Sequence, residues 1–126
     1  MTSTMTASKP SYRTVTRQIE VKGFPITELL AGRDLVKIDA EGIEHALLRA
    51  AMPTLVQNRP TIVVEVLPES TTLAQVLSEL AVTARYDINV VPSYGSNDII
   101  PVPATEFTAA IPAKHNSKDV MLTPRL

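Results

Sequence analysis

Cysteine and tryptophan are absent from the 126 residues, and aromatic side chains make up 4% of them. Without cysteine there is no disulfide framework, no thiolate zinc site and no cysteine nucleophile, so burial must hold the core. The lack agrees with a reducing compartment, and a cytoplasmic chain is the expectation. Few rings leave few platforms on which bases or sugar faces can stack. An excess of one charge is missing too: 12 Lys and Arg stand against 13 Asp and Glu, a formal net charge of −1. That balance supplies neither the basic footprint of a nucleic-acid binder nor a polybasic membrane surface. No apolar run approaches the roughly 18 residues that span a bilayer, and residues 1–10 lack the apolar centre of a secretory signal. Neither a nucleic-acid nor a membrane partner is expected. The only histidines are His45 and His115, with no His-x-x-x-His spacing, so no metal site is predicted. No Gly-x-Ser-x-Gly elbow is present, which removes the common hydrolase reading.

What is there is ordinary globular material, 44% hydrophobic and 20% charged, in a length suited to one domain. Residues 1–14 are rich in Ser and Thr without apolar periodicity and are expected to be a disordered tail, leaving 15–126 as the folded part. Val15, Arg17, Ile19 and Val21 alternate as in a strand that Gly23 and Pro25 break. A helical turn over 27–31 follows, with Gly32 suited to positive φ at its end. Residues 35–38 read as the first buried strand. Ile43, Ala46, Leu47 and Ala50 then mark an amphipathic helix that Pro53 should end or kink. Residues 61–67, between Pro60 and Pro68, are a β-branched run fit for the centre of a parallel sheet. Leu73, Val76, Leu77 and Leu80 mark a second helix, with Thr72 and Gln75 spaced as a capping box. Strands are predicted at 88–91 and 120–122; 94–103 is rich in turns and 104–112 is unassigned.

Strands alternating with helices call for parallel pairing through right-handed crossovers, hence an α/β fold with a mostly parallel sheet and helices packed on it. Such sheets bind ligands beyond the carboxyl ends of their strands, which places Asp39, Glu41, Gly42, Glu65 and Pro68 on one rim. The strongest local signal is the apolar strand running into Asp39-Ala40-Glu41-Gly42. There two acids arrive together, and a glycine permits a tight turn or the close approach of a ligand. Helix capping explains the same residues without any ligand. Glu65, inside an apolar strand, is expected either to face solvent or to pair with a cation such as Arg59 or Lys37. His45 should be solvated. His115 sits in a late loop where a ring nitrogen can meet a substrate.

The stretch Lys37-Ile38-Asp39-Ala40-Glu41-Gly42-Ile43-Glu44, then Leu47-Leu48-Arg49-Ala50-Ala51, then Arg59-Pro60-Thr61-Ile62-Val63-Val64-Glu65-Val66 resembles the signature of FkbM-type methyltransferases. That signature runs Lys-Ile-Asp-Val-Glu-Gly-Ala-Glu, Val-Leu-Lys-Gly-Ala and Pro-x-Ile-x-x-Glu. Residues 26–30 resemble the family's Thr-Leu-Asp-Asp-Leu segment and 116–122 its closing strand, so the resemblance covers about 15–126. It implies S-adenosylmethionine as cofactor, a Rossmann-like sheet, and O-methylation of a sugar or natural-product hydroxyl, with a small-molecule acceptor as partner. Carried over, Asp39, Glu41 and Gly42 line the cofactor or substrate cleft, and Glu65 and His115 are secondary cleft candidates. The chain departs from the family at Thr27, Ala40 and Ala50. Its four glycines, Gly23, Gly32, Gly42 and Gly95, are scattered singly, so no Asp-x-Gly-x-x-x-Gly turn is present to cradle the cofactor.

The resemblance therefore implies the carboxyl-terminal half of a methyltransferase, inactive alone and completed by a missing amino-terminal half. The alternative is a non-enzymatic, degenerate α/β module that self-associates through a strand edge at 35–38. A receiver-like domain is disfavoured, because the acidic pair it needs after its first strand is not there.

Overall fold

The computed structural model describes residues 3–6, 20–92 and 98–126. In chain order the elements are β1 (Ser3–Thr6), β2 (Glu20–Gly23), α1 (Ile26–Leu30), β3 (Leu35–Ile38), α2 (Glu44–Asn58) and β4 (Thr61–Glu65). They continue with α3 (Thr71–Thr83), β5 (Tyr86–Val91), β6 (Ile100–Val102), α4 (Ile111–Lys114) and β7 (Asp119–Pro124). β1 and β2 form a separate antiparallel pair, Ser3 opposite Gly23. The expected tail thus contributes a strand, a correction for residues 3–6. The strand expected over 15–21 lies largely outside the described residues.

The main sheet has the order β3-β4-β7-β5-β6. Among the described residues only β3 and β4 pair in parallel; β4·β7, β7·β5 and β5·β6 are antiparallel. The fold is α/β, as expected, but the mostly parallel sheet is not observed. The physical reason is the position of β7. The helical crossovers α2 and α3 do make β3, β4 and β5 run in one direction, yet β7 inserts between β4 and β5 and turns both of its contacts antiparallel. Two hydrogen bonds at its start hold it there: the Val66 N–H donates to the Lys118 carbonyl at 2.7 Å, and the Ser117 side-chain hydroxyl donates to the Val91 carbonyl.

Burial alternates along the strands. Ile62, Val64, Ile88, Val120 and Leu122 are buried in one core cluster with residues of α2 and α3, whereas Thr61, Val63, Met121 and Thr123 are half-buried. Both long helices therefore cover the same face of the sheet. In α3 the stripe Leu73, Val76, Leu77 and Leu80 is buried as its spacing predicts, each side chain contributing about 1.5–3 kcal/mol of transfer free energy. The capping box does not form: the helix starts at Thr71 after Ser70, with no side-chain cap.

α2 departs from expectation twice. Its buried positions are Glu44, Leu48, Ala51 and Leu55, while Ile43 is 53% exposed and Ala46 and Ala50 face solvent. The helix also runs five residues past Pro53. Pro53 and Arg49 are exposed, so the carbonyl that loses its helical donor can turn to water, and burial of Ala51 and Leu55 on either side outweighs the lost bond. α2 ends at Arg59, in the left-handed region at φ 45°, whose N–H donates to the Leu55 carbonyl at 3.0 Å. The exposed Arg49–Glu79 pair, 3.1 Å apart, links α2 to α3 and adds at most about 1 kcal/mol. No helix among the described residues is long and apolar enough to cross a membrane.

The start of β5 is fastened to the start of β4 through Tyr86, whose buried hydroxyl donates to the Pro60 carbonyl at 2.6 Å. Burial lifts the Tyr86 phenol from 10.0 to about 12, against a smaller opposing pull from Arg59. The folded state thus holds this proton more tightly than the unfolded one, so the stabilisation is whole below about pH 10 and is lost as pH rises towards about 12. Tyr86→Phe is expected to abolish this alkaline loss. At neutral pH it should cost about 1–3 kcal/mol, because the Pro60 carbonyl is left without a donor. Urea unfolding on both sides of the phenol's titration measures both effects.

Candidate functional site

β3 and β4 end side by side. Ile38 is the register partner of Val64, so Asp39 and Glu65 reach the same rim of the sheet. From there residues 39–43 must carry the chain into α2. Glu41 has φ 48° and Gly42 φ 105°. Consecutive residues of that kind turn their amides inward and form a concavity that attracts anions.

Here the anion comes from the chain itself. One Glu44 oxygen accepts from the Ala40 N–H at 3.0 Å and the other from the Gly42 N–H at 2.9 Å. Glu44 is 7% exposed, and these two bonds satisfy a charge that burial would otherwise penalise. The carboxylate also stands in the first turn of α2, where the helix dipole favours negative charge. Neither Asp39 nor Glu41 caps α2, which has no side-chain cap; the loop before the helix is instead closed by Glu44, which accepts from two of its amides. It was within reach of sequence reasoning, as an acid two residues after a glycine at a helix start. Asp39 and Glu41 are left exposed at the surface.

A cleft of about 490 Å³ lies against the loop, lined by Asp39, Glu41, Gly42, Glu44, Glu65, Leu67, Glu69 and Ser70. The expected residues Asp39, Glu41, Gly42 and Glu65 are therefore brought together. Pro68, expected on the same rim, falls in the turn between Leu67 and Glu69. His115 is exposed just after α4 and does not line this cleft. Glu69 and Ser70, in the turn that leads into α3, were not anticipated. Arg59, the cation proposed for Glu65, instead donates to the Arg125 carbonyl at 2.6 Å. Lys37 is exposed and registers with Val63. Among the described residues five carboxylates line the cleft and no Lys or Arg does. Such a site accepts cations and hydroxyl donors and repels phosphates. Among the described residues no three His, Cys, Asp or Glu are grouped to hold a metal ion.

An α/β sheet whose co-directional strands deliver acidic side chains to a cleft at their carboxyl ends has the layout of a small-molecule-binding α/β enzyme domain. The chain matches the model of the methyltransferase FkbM domain over residues 2–89, more than half its length, and it belongs to that family. The match begins within the segment expected to be a tail and ends inside β5, so the resemblance read at 116–122 falls outside it. No curated protein and no solved structure matches the chain.

The family implies S-adenosylmethionine. The residues present fit part of that molecule: carboxylates suit its sulfonium and ammonium charges and its ribose hydroxyls. Its carboxylate would need donors, and the rim amides of Ala40 and Gly42 are already taken by Glu44.

If Glu44 sets the loop, Glu44→Ala should cost about 1–3 kcal/mol, since it leaves two inward amides unpaired. Hydrogen exchange at Ala40 and Gly42 should quicken with it. Glu41→Ala, at an exposed side chain, is expected to change stability by no more than about 0.5 kcal/mol. Gly42→Ala meets no steric obstacle but must hold φ 105°, and should destabilise by about 1–2 kcal/mol in thermal unfolding.

Proposed function

We propose that this chain carries the acidic side of a methyl-transfer site, as the carboxyl-terminal half of an FkbM-type enzyme. Its reaction would be O-methylation of a sugar or natural-product hydroxyl with S-adenosylmethionine as donor. The observation that supports the reading best is the convergence of Asp39, Glu41 and Glu65 on one cleft at the carboxyl ends of β3 and β4, within residues that match the family.

The cofactor, when bound, supplies an electrophilic methyl group. The chain's own share is to bind and orient. The exposed carboxylates of Asp39 and Glu41 stand where they can accept a hydrogen bond from an acceptor hydroxyl, and either can take its proton as the oxygen is alkylated. The same charge disfavours phosphorylated acceptors and favours neutral or cationic ones. With no glycine-rich turn in the sequence and the rim amides already occupied, the pocket for the rest of the cofactor must come from another segment. Affinity of this chain alone should then be in the millimolar range, about −4 kcal/mol.

A titration with S-adenosylmethionine to about 5 mM, followed in the amide NMR spectrum, tests this. Shifts should be confined to residues 39–42 and 65–70, remain unsaturated, and vanish in Asp39→Ala. Shifts elsewhere, or none, would overturn the site. Saturation at micromolar concentration would overturn the half-enzyme reading. A second reading, a non-enzymatic α/β module that self-associates, is favoured by the edge of β3, which no described strand covers, and gains if the cleft stays silent.

A further inference from the structure

β3 is the outer strand of the main sheet, and it is not the buried strand its composition predicts: Leu35 is 65% exposed and Lys37 is exposed as well. In its ladder with β4 the Thr61 N–H donates to the Asp34 carbonyl at 2.8 Å, and Val36 registers with Ile62. Backbone groups alternate along a strand, so Asp34, Val36 and Ile38 turn theirs toward β4 and Leu35 and Lys37 turn theirs outward. Beside this edge a groove of about 400 Å³ is lined by Ile26, Leu29, Val36 and Leu47 among others, and Leu29 is 51% exposed. Soluble proteins ordinarily blunt such an edge.

We infer that this edge pairs with the same edge of a second copy of the chain, antiparallel, about a two-fold axis at Val36. Hydrogen bonding and charge select that register. Opposed residues must both turn their backbone groups outward, so odd-numbered residues face odd-numbered ones, and the axis falls at Leu35, Val36 or Lys37. An axis at Leu35 sets Arg33 against Lys37 of the copy, and an axis at Lys37 sets that residue against itself. Both juxtapose like charges. An axis at Val36 sets Leu35 against Lys37 and brings Arg33 toward Asp39 of the copy at each end. Arg33 and Asp39 are both exposed, and a formal net charge of −1 adds little general repulsion. The pairing joins two apolar edges and delivers an arginine to the mouth of a cleft whose own lining has no cation. It stands independently of methyl transfer.

Sedimentation equilibrium of the full chain from about 1 to about 200 μM tests the inference, with a dimer of micromolar dissociation constant expected. Lys37→Pro removes one outward N–H and leaves the β4 ladder intact; it should give a monomer with an unchanged circular dichroism spectrum. Arg33→Asp and Asp39→Arg should each weaken the dimer about tenfold, and the double variant should regain most of the loss. A wild-type chain that stays monomeric throughout, whether or not it then captures a strand from another polypeptide, overturns the proposal. So does a dimer that persists in a folded Lys37→Pro variant, or two charge reversals whose effects simply add. Should Lys37→Pro fail to fold, the charge-reversal cycle decides alone.

Discussion

Two hydrogen bonds from one buried carboxylate organise the part of this chain that bears on chemistry. By accepting from the Ala40 and Gly42 amides, Glu44 holds the loop after β3 in a conformation that Glu41 and Gly42 reach only at positive φ. The same residue is the first of α2, so its inward position sets the rotation of the helix. Leu48, Ala51 and Leu55 follow it into the core at four, seven and eleven residues, the spacing of one helical face. Asp39 and Glu41 are outward because Glu44 is inward. Closure of the loop by Glu44 and the outward placement of Asp39 and Glu41 are one structural event.

The second constraint is β7. Because it runs antiparallel to β4, its first residue, Asp119, lies directly opposite Glu65. Opposed like charges are unfavourable in a sheet, and here they fall where β4 opens into a cleft already lined by acids. A local rule is broken at the rim and kept in the core, where Val64 pairs with Val120 and Ile62 with Leu122. Such an exception to a local rule is what the proposed site would show. Groups that neutralise carboxylates or donate hydrogen bonds to them would relieve it.

How much of this was legible in the sequence depended on whether the deciding forces are local. The buried stripe of α3, the apolar β4 and the positive φ of Gly32 follow from spacing and from glycine's freedom, and all were readable. So was the rim in outline, since β3 and β4 each run into acids at the same end of the sheet, although the outward placement of Asp39 and Glu41 goes with the inward one of Glu44. The phase of α2 was not, because Ile43, Ala46, Leu47 and Ala50 also repeat at helical spacing, whereas the buried face carries Glu44 beside Leu48, Ala51 and Leu55. Nor was the direction of most strand pairs: nothing in residues 119–124 reveals that they insert between β4 and β5. Leu35-Val36-Lys37-Ile38 has the composition of a central strand; an edge there was expected only under the self-associating alternative, and the order of the sheet shows it.

That edge and the acidic cleft meet at Asp39, which closes β3 and lines the cleft. Any strand laid against β3 therefore brings its own side chains to the mouth of the site, and five carboxylates without a lining cation leave it an unmatched charge to meet. Closing the edge with a residue of opposite charge satisfies hydrogen bonding, apolar burial and electrostatics together. A ligand in the cleft alone satisfies only the last. On the proposed pairing, β3 would thus link the cleft to the edge that a second copy covers.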